Sequence, residues 1–265
     1  MNPYWLKQTV DKPLYDNLLW SRPENKLQAG KIVVIGGNIN SFAKTVNSYQ
    51  LLISAGVGQV TILLPKPIFK VIGQISTDLI FCPSTDSGSF SSQSLDNFID
   101  YTSSADGIFL SGELSNNSET LILIEKLINR VNKPIILSDD SIDLALHFDN
   151  SLLNRNNMIY VGNLDKFQKI FSKLNSTDAI TSNISLSDLV RVMKNFSQKN
   201  LVSLVTIYND YVVVASQGQV STTLINKPID RDIFKLVHHC VCWIIQNPET
   251  KFQALSCSAI TYQTI

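Results

Sequence analysis

"KIVVIGGNINSFAKTVNSYQLLISAGVGQVTILLP" spans residues 31–65. Its opening run, Ile32 to Ile35, is β-branched and apolar without alternation, the pattern of a short strand buried on both faces. The run ends at Gly36-Gly37. Phe42, Val46, Tyr49, Leu52 and Ile53 then recur near helical spacing, and Ala55-Gly56 supplies a stop signal. Residues 59–65 form a second apolar run, closed by Pro65. The unit is strand, helix, strand, and its connection is long enough for a parallel pair.

The same rhythm continues down the chain. Strands are predicted over 78–82, 106–112, 133–140 and 158–162, alternating with helical patterns. One of these helices begins at the polar Asn117-Ser118 and turns Leu121, Ile124, Leu127, Ile128 and Val131 inward. The last third differs. A helix over 185–199 is followed by three strands with turns at Asn209-Asp210 and Gln217-Gly218, an antiparallel meander, and then by helices over 232–246 and 248–263. This order predicts a three-layer, doubly wound α/β fold with a mostly parallel sheet and antiparallel edge strands in the C-terminal third. No Gly/Ser/Pro-rich linker divides residues 1–265, so the expectation is one domain.

Composition narrows the partners. Of 265 residues 44% are hydrophobic and 17% charged, as in a globular chain. Lysine plus arginine equal aspartate plus glutamate at 22 each, so no global charge draws the protein to nucleic acid or an anionic membrane. The start, "MNPYWLKQTVDKPLYDN", lacks the apolar centre of a signal peptide, and no apolar stretch is long enough to span a bilayer. The expectation is a cytoplasmic protein whose cysteines (Cys82, Cys240, Cys242 and Cys257) are buried thiols. His238 and Cys242 stand four apart on one helix, but two ligands do not make a metal site, and none is expected.

Open α/β sheets bind ligands beyond the carboxyl ends of their strands. Here those places are residues 36–41, 65–67, 111–116, 138–143, 160–165 and the loop after the meander. Gly36-Gly37 serves either a strand-to-helix turn or a close backbone approach to a ligand; a dinucleotide fingerprint is absent, since no third glycine opens the helix. Asp139, Asp140 and Asp143 suit the first turn of a helix, or a carboxylate meeting substrate or Mg²⁺. Glu113 is expected to face the pocket and to repel a nucleotide phosphate there. Lys44 reads as a solvated surface lysine.

Particular residues carry a family resemblance. Lys26, Gly30, Gly36, Gly37, Ala55, Gly56, Gly58, Val60 and Thr61 fit one segment, and "KPIILSDDSIDL" (133–144) resembles a second whose second aspartate falls on Asp140, with Ser138 in place of the first. By these segments and the order of elements, the chain resembles the NAD(P)H-hydrate dehydratases, a branch of the ribokinase-like fold. The resemblance implies use of ATP or ADP with Mg²⁺ to dehydrate hydrated NADH or NADPH through phosphorylation and elimination. It also implies self-association into a homo-oligomer. It makes Asp232, or alternatively Asp230, the base. Gly36, Gly37, Asn38, Asn40 and Asp140 would meet the substrate, and Ser111, Gly112 and Asn163 the nucleotide.

The chain departs from the family at its loops. Ser111-Gly112-Glu113-Leu114-Ser115 stands where the family shows Gly-Pro-Gly-Leu-Gly, residues 160–165 replace Thr-Pro-His-Pro-Gly-Glu, and Thr206-Ile207-Tyr208 replaces a Lys-Gly. Above all, "INKPIDRDIFKL" (225–236) contains no glycine where relatives carry Gly-[Ser/Thr/Ala]-Gly-Asp, and Pro228 lacks an N–H. Glycines there let N–H groups converge on phosphate oxygens at a helix N-terminus. Three readings result: a divergent dehydratase, a non-catalytic member that binds a ligand or assembles with a partner, and a small-metabolite kinase. The dehydratase suits the lineage. The missing loop favours the non-catalytic reading as mechanism.

Overall fold

Each apolar run becomes a strand of one sheet, because a strand with no polar face must be covered on both sides. The computed structural model describes residues 4–73, 76–181, 183–228 and 231–264. The strands are β1 (Trp5–Gln8), β2 (Lys31–Gly36), β3 (Gln59–Pro65), β4 (Leu79–Cys82), β5 (Gly107–Gly112), β6 (Ile135–Ser138), β7 (Met158–Val161), β8 (Ser203–Tyr208), β9 (Tyr211–Ser216) and β10 (Gln219–Leu224). Their spatial order in a 10-stranded sheet is β1-β10-β9-β8-β7-β6-β5-β2-β3-β4. Pairing is parallel throughout except where β9 meets β8 and β10.

The helices are α1 (Asp16–Trp20), α2 (Ala43–Ala55), α3 (Phe69–Ile72), α4 (Leu95–Ser103), α5 (Ser118–Arg130), α6 (Asp140–Ala145), α7 (Asn150–Leu153), α8 (Leu164–Lys173), α9 (Leu186–Lys199), α10 (Ile233–Gln246) and α11 (Lys251–Thr261). Alternate residues of β2 separate the two layers. Val33 and Ile35 join the core under α4, α5, α8 and α9, and Ile32 and Val34 join the core under α2, α10 and α11. α10 is buried on nearly every side, as its apolar composition demands, and it packs on α11 and α2. No helix among the described residues is long and apolar enough to cross a membrane.

Two features differ from the sequence reading. The strand predicted over 133–140 stops at Ser138, because Asp139 takes φ 55° and ψ −129° and turns the chain sharply into α6. The polar lead-in also contributes β1, which adds outside β10 and is fastened by Trp5 Nε1 to Thr222 Oγ1 (3.0 Å) and Gln8 Nε2 to Thr223 Oγ1 (2.7 Å).

The register brings one set of strand ends level. Gly36 lies opposite Gly112, Leu110 opposite Leu137, and Ser138 opposite Val161. The loops that leave β2, β5, β6 and β7 therefore meet at one edge of the sheet, beside the start of α10.

Candidate functional site

Glu113 organises this edge. Its backbone is left-handed (φ 58°), as is that of Ser115 (φ 59°), a conformation that glycine adopts without strain. Both are among the three positions of this loop, with Ser111, where the family pattern has glycine. The turn aims the Glu113 side chain at the first turn of α2, which has no cap of its own from Phe42. One carboxylate oxygen accepts from Ser41 Oγ (2.8 Å) and the Lys44 N–H (3.3 Å); the other accepts from the Thr45 N–H (3.0 Å) and Thr45 Oγ1 (3.0 Å). Helix N-termini attract anions through exposed N–H groups and the helix dipole. Here the anion comes from the protein itself.

A second carboxylate holds the loop from the other side. Asp140 Oδ1 accepts from the Glu113 N–H at 2.7 Å, and a Cβ on Gly112 (φ 99°) would lie 2.2 Å from that oxygen. Burial pushes the Asp140 carboxyl above its ordinary range. The Glu113 N–H opposes this, and the nearby Asp139 and Glu113 charges add to it. Asp139 pairs with Lys44 Nζ at 2.6 Å, and this hydrogen bond is the main cause that raises Lys44. Asp143 pairs with Lys166 and, at 2.7 Å, with Lys169. Burial alone would raise Asp143, but the two lysines outweigh it and hold its carboxyl below the usual range.

The residues singled out in the sequence take up definite positions around this network. Gly36 packs where a Cβ would come within 2.3 Å of Ser111 Oγ, 2.5 Å of Thr45 Oγ1 and 2.7 Å of the Gly112 carbonyl. Gly37 (φ 81°) makes the turn, and its N–H donates to that carbonyl at 3.1 Å. Asn38 donates from Nδ2 to the Glu113 carbonyl (2.7 Å) and accepts from the Asn40 N–H (2.9 Å). Ser111 Oγ shares a 2.9 Å hydrogen bond with Thr45 Oγ1. Asn163 stands at the N-cap of α8 without capping it. Asp232 caps α10 by accepting from the Phe234 N–H at 2.9 Å. Asp230 lies outside the described residues.

Thus Gly36, Gly37, Asn38, Asn40, Ser111, Gly112 and Asp140 converge on the Glu113 loop, while Asn163 lines an adjoining pocket, shared with Lys44 and Asp139, and Asp232 directly precedes its lining residue Ile233. That pocket, about 210 Å³, lies between the Ser138-Asp139 turn, the end of β7 and the start of α10. Sequence reading missed Ser41 and Thr45 as the partners of Glu113, since nothing in a helix's first turn says which distant acid will reach it. His238 and Cys242 are engaged elsewhere. The histidine Nδ1 lies 2.5 Å from the Phe234 carbonyl, and Cys242 Sγ donates to the Ala55 carbonyl at 3.2 Å. Among the described residues no group of three or more His, Cys, Asp or Glu is placed to hold a metal ion.

No family model matches the chain. A bifunctional NAD(P)H-hydrate repair enzyme of Moorella thermoacetica is 24% identical over 126 residues, which cover 47% of this chain and 24% of that enzyme. The match thus spans about a quarter of the curated relative's length. A ribokinase-like superfamily protein of Enterococcus faecalis superposes with a TM-score of 0.71 at 12% identity, covering 100% of this chain and 88% of that one. A hypothetical protein of Streptococcus mutans gives the same TM-score of 0.71 at 12% identity, over 94% and 86% of the two chains. The ADP/ATP-dependent NAD(P)H-hydrate dehydratase of Bacillus subtilis, co-crystallised with ATP and Mg²⁺, has a TM-score of 0.66 at 11% identity, over 95% and 87%. The chain has the ribokinase-like fold and, within it, resembles the NAD(P)H-hydrate dehydratases as a divergent relative.

Proposed function

We propose that this protein is a ligand-binding member of the ribokinase-like fold that does not carry out nucleotide-dependent dehydration or phosphoryl transfer. The observation that carries the reading is the Glu113 carboxylate on the N-terminus of α2. A phosphate approaching those donors meets a negative charge already bound to them. The start of α10 supports the same reading: residues 225–236 hold no glycine, Pro228 lacks an N–H, and the Asp232 carboxylate occupies the Phe234 N–H. Phosphoryl transfer rests on preorganised donors and metal, and losing one donor of this kind costs about 10²–10³ in rate.

The other reading, retained dehydration with ATP or ADP and Mg²⁺, is favoured by the position of Asp232, which opens α10 next to the pocket-lining Ile233. There Asp232 would act as base. Purified protein given hydrated NADH, Mg²⁺ and either ATP or ADP separates the two. Our reading expects no nucleotide-dependent recovery of the reduced nicotinamide absorbance. Recovery that disappears in Asp232→Asn would establish the dehydratase.

A further inference from the structure

At the opposite end of the sheet, where β6, β7 and β8 begin, lies a cleft of about 510 Å³. That is within the roughly 300–1,000 Å³ of pockets that hold small molecules. Four asparagines line it: Asn132 ahead of β6, and Asn154, Asn156 and Asn157 ahead of β7. Each has one end of its amide fixed by the protein. Asn132 Oδ1 accepts from Arg155 Nη2 (3.1 Å), Asn154 Oδ1 from the Leu201 N–H (2.7 Å) and Asn156 Oδ1 from Lys251 Nζ (2.9 Å). Asn157 Nδ2 donates to the Lys133 carbonyl at 2.8 Å. The partners are pure donors in the first three cases and a pure acceptor in the last, so no amide can turn over without losing its bond.

The other ends stay open: three NH₂ groups and one carbonyl oxygen, without a partner among the described residues. Asn132 and Asn156 are exposed, and Asn154 and Asn157 half-buried. Neither open end of the half-buried pair belongs to the buried side-chain atoms that lack a partner, so both reach the surface, which at these residues is the cleft. Arg155 and Lys251 stand in the same lining as Glu249, so an anion meets a carboxylate and a cation meets two cations. A hydroxyl is neutral and can both accept from an NH₂ and donate to an amide oxygen or a carboxylate. The rest of the lining is apolar, with Pro134, Pro248 and Leu201, which is 58% exposed.

We infer that this cleft is a second ligand site, which takes a neutral polyhydroxylated molecule of sugar size. Its hydroxyls meet the open asparagine ends and Glu249, and its C–H face rests on Leu201 and Pro248. The cleft lies at the far ends of the strands from the Glu113 loop, so the inference stands apart from the proposed function.

Glucose, galactose and mannose, titrated into the nitrogen-labelled full chain, test it through the side-chain amide signals in proton–nitrogen spectra. At least one hexose should shift the signals of Asn132, Asn154 and Asn156 saturably and leave that of Asn38, at the Glu113 loop, in place. The uronate and the amino sugar of the same hexose should bind more weakly. Asn132→Ala and Asn156→Ala each remove one open donor. Both leave the neighbouring cation its carbonyl partners, those of Ile128 and Val131 for Arg155 and that of residue 156 for Lys251. Each should weaken the sugar about two- to tenfold, with little change in melting temperature. Leu201→Ser removes the apolar rest and should weaken it as well.

The inference is overturned if no hexose shifts these amides saturably, if the uronate or the amino sugar binds more tightly than the neutral sugar, or if all three variants keep full affinity.

Discussion

Replacing Glu113 with alanine lowers the stability of the protein by about 2–4 kcal/mol, and replacing it with glycine costs roughly 1 kcal/mol less. The first number follows from the donors left behind. Ser41 Oγ, two N–H groups of α2 and Thr45 Oγ1 all lose the same carboxylate. Hydrogen bonds to a charged group contribute about 1.5–3 kcal/mol each when buried, but this carboxylate is half-buried and water can reach part of what it leaves. The total therefore sits near one or two such bonds rather than four. The difference between the variants comes from the left-handed backbone at φ 58°, which costs alanine about 1–2 kcal/mol and glycine almost nothing. Urea unfolding of the three proteins checks both parts. Equal stability of the alanine and glycine variants would remove the strain argument, and no loss in either would remove the capping argument. Glycine here also leaves the α2 donors open, so inorganic phosphate should raise the melting temperature of Glu113→Gly and not that of the wild type.

Acid weakens the fold through α10. Burial lowers the His238 pKa from 6.5 to about 4, partly offset by the Phe234 carbonyl and the Asp232 charge. Burial lowers His239 to about 3, helped by the charges of Lys235, Arg22 and His238. Both rings are neutral in the folded protein at neutral pH, while the unfolded chain takes up protons near 6.5. Stability from these rings is thus fully present above pH 6.5 and is lost as pH falls toward 4. For His238 alone the loss amounts to about 3 kcal/mol across that window. The carboxyl of Asp140, at the Glu113 loop, works in the opposite direction: its pKa is raised, so its unfavourable ionisation is relieved as pH falls. His238 packs edge-on against Phe109 (5.5 Å) and Phe234 (4.6 Å), so phenylalanine suits its place. Urea midpoints measured from pH 7.5 to 4.5 should fall with acid in the wild type, and less steeply in His238→Phe by about one proton's worth of slope. Identical pH profiles for the two proteins would show that His238 is not held neutral by burial.

Much of the fold was legible in the sequence because its signals are local. The unbroken apolar runs at residues 32–35 and 135–137 announced strands covered on both faces, and Asn117, an N-cap that accepts from Glu119 and Thr120 N–H groups, announced α5. β1 was not legible: a four-residue edge strand carries little periodicity, and its partner lies more than two hundred residues away. The site was legible as a place but not as a network. Strand-end logic pointed to residues 36–41, 111–116 and 138–143, and it expected Glu113 to face the pocket. It did not find that Glu113 turns from the pocket to α2, because that depends on a left-handed backbone and on the distance to Thr45.

The Glu113 carboxylate occupies the N–H donors at the start of α2, and the start of α10 has no glycine to cradle a phosphate. Calorimetric titration of the wild-type protein with ATP, and separately ADP, in the presence of Mg²⁺ tests most directly whether nucleotide is thereby excluded. No saturable heat is expected up to millimolar nucleotide. Saturable one-to-one binding in the micromolar range, unaffected in Glu113→Gly, would contradict that expectation.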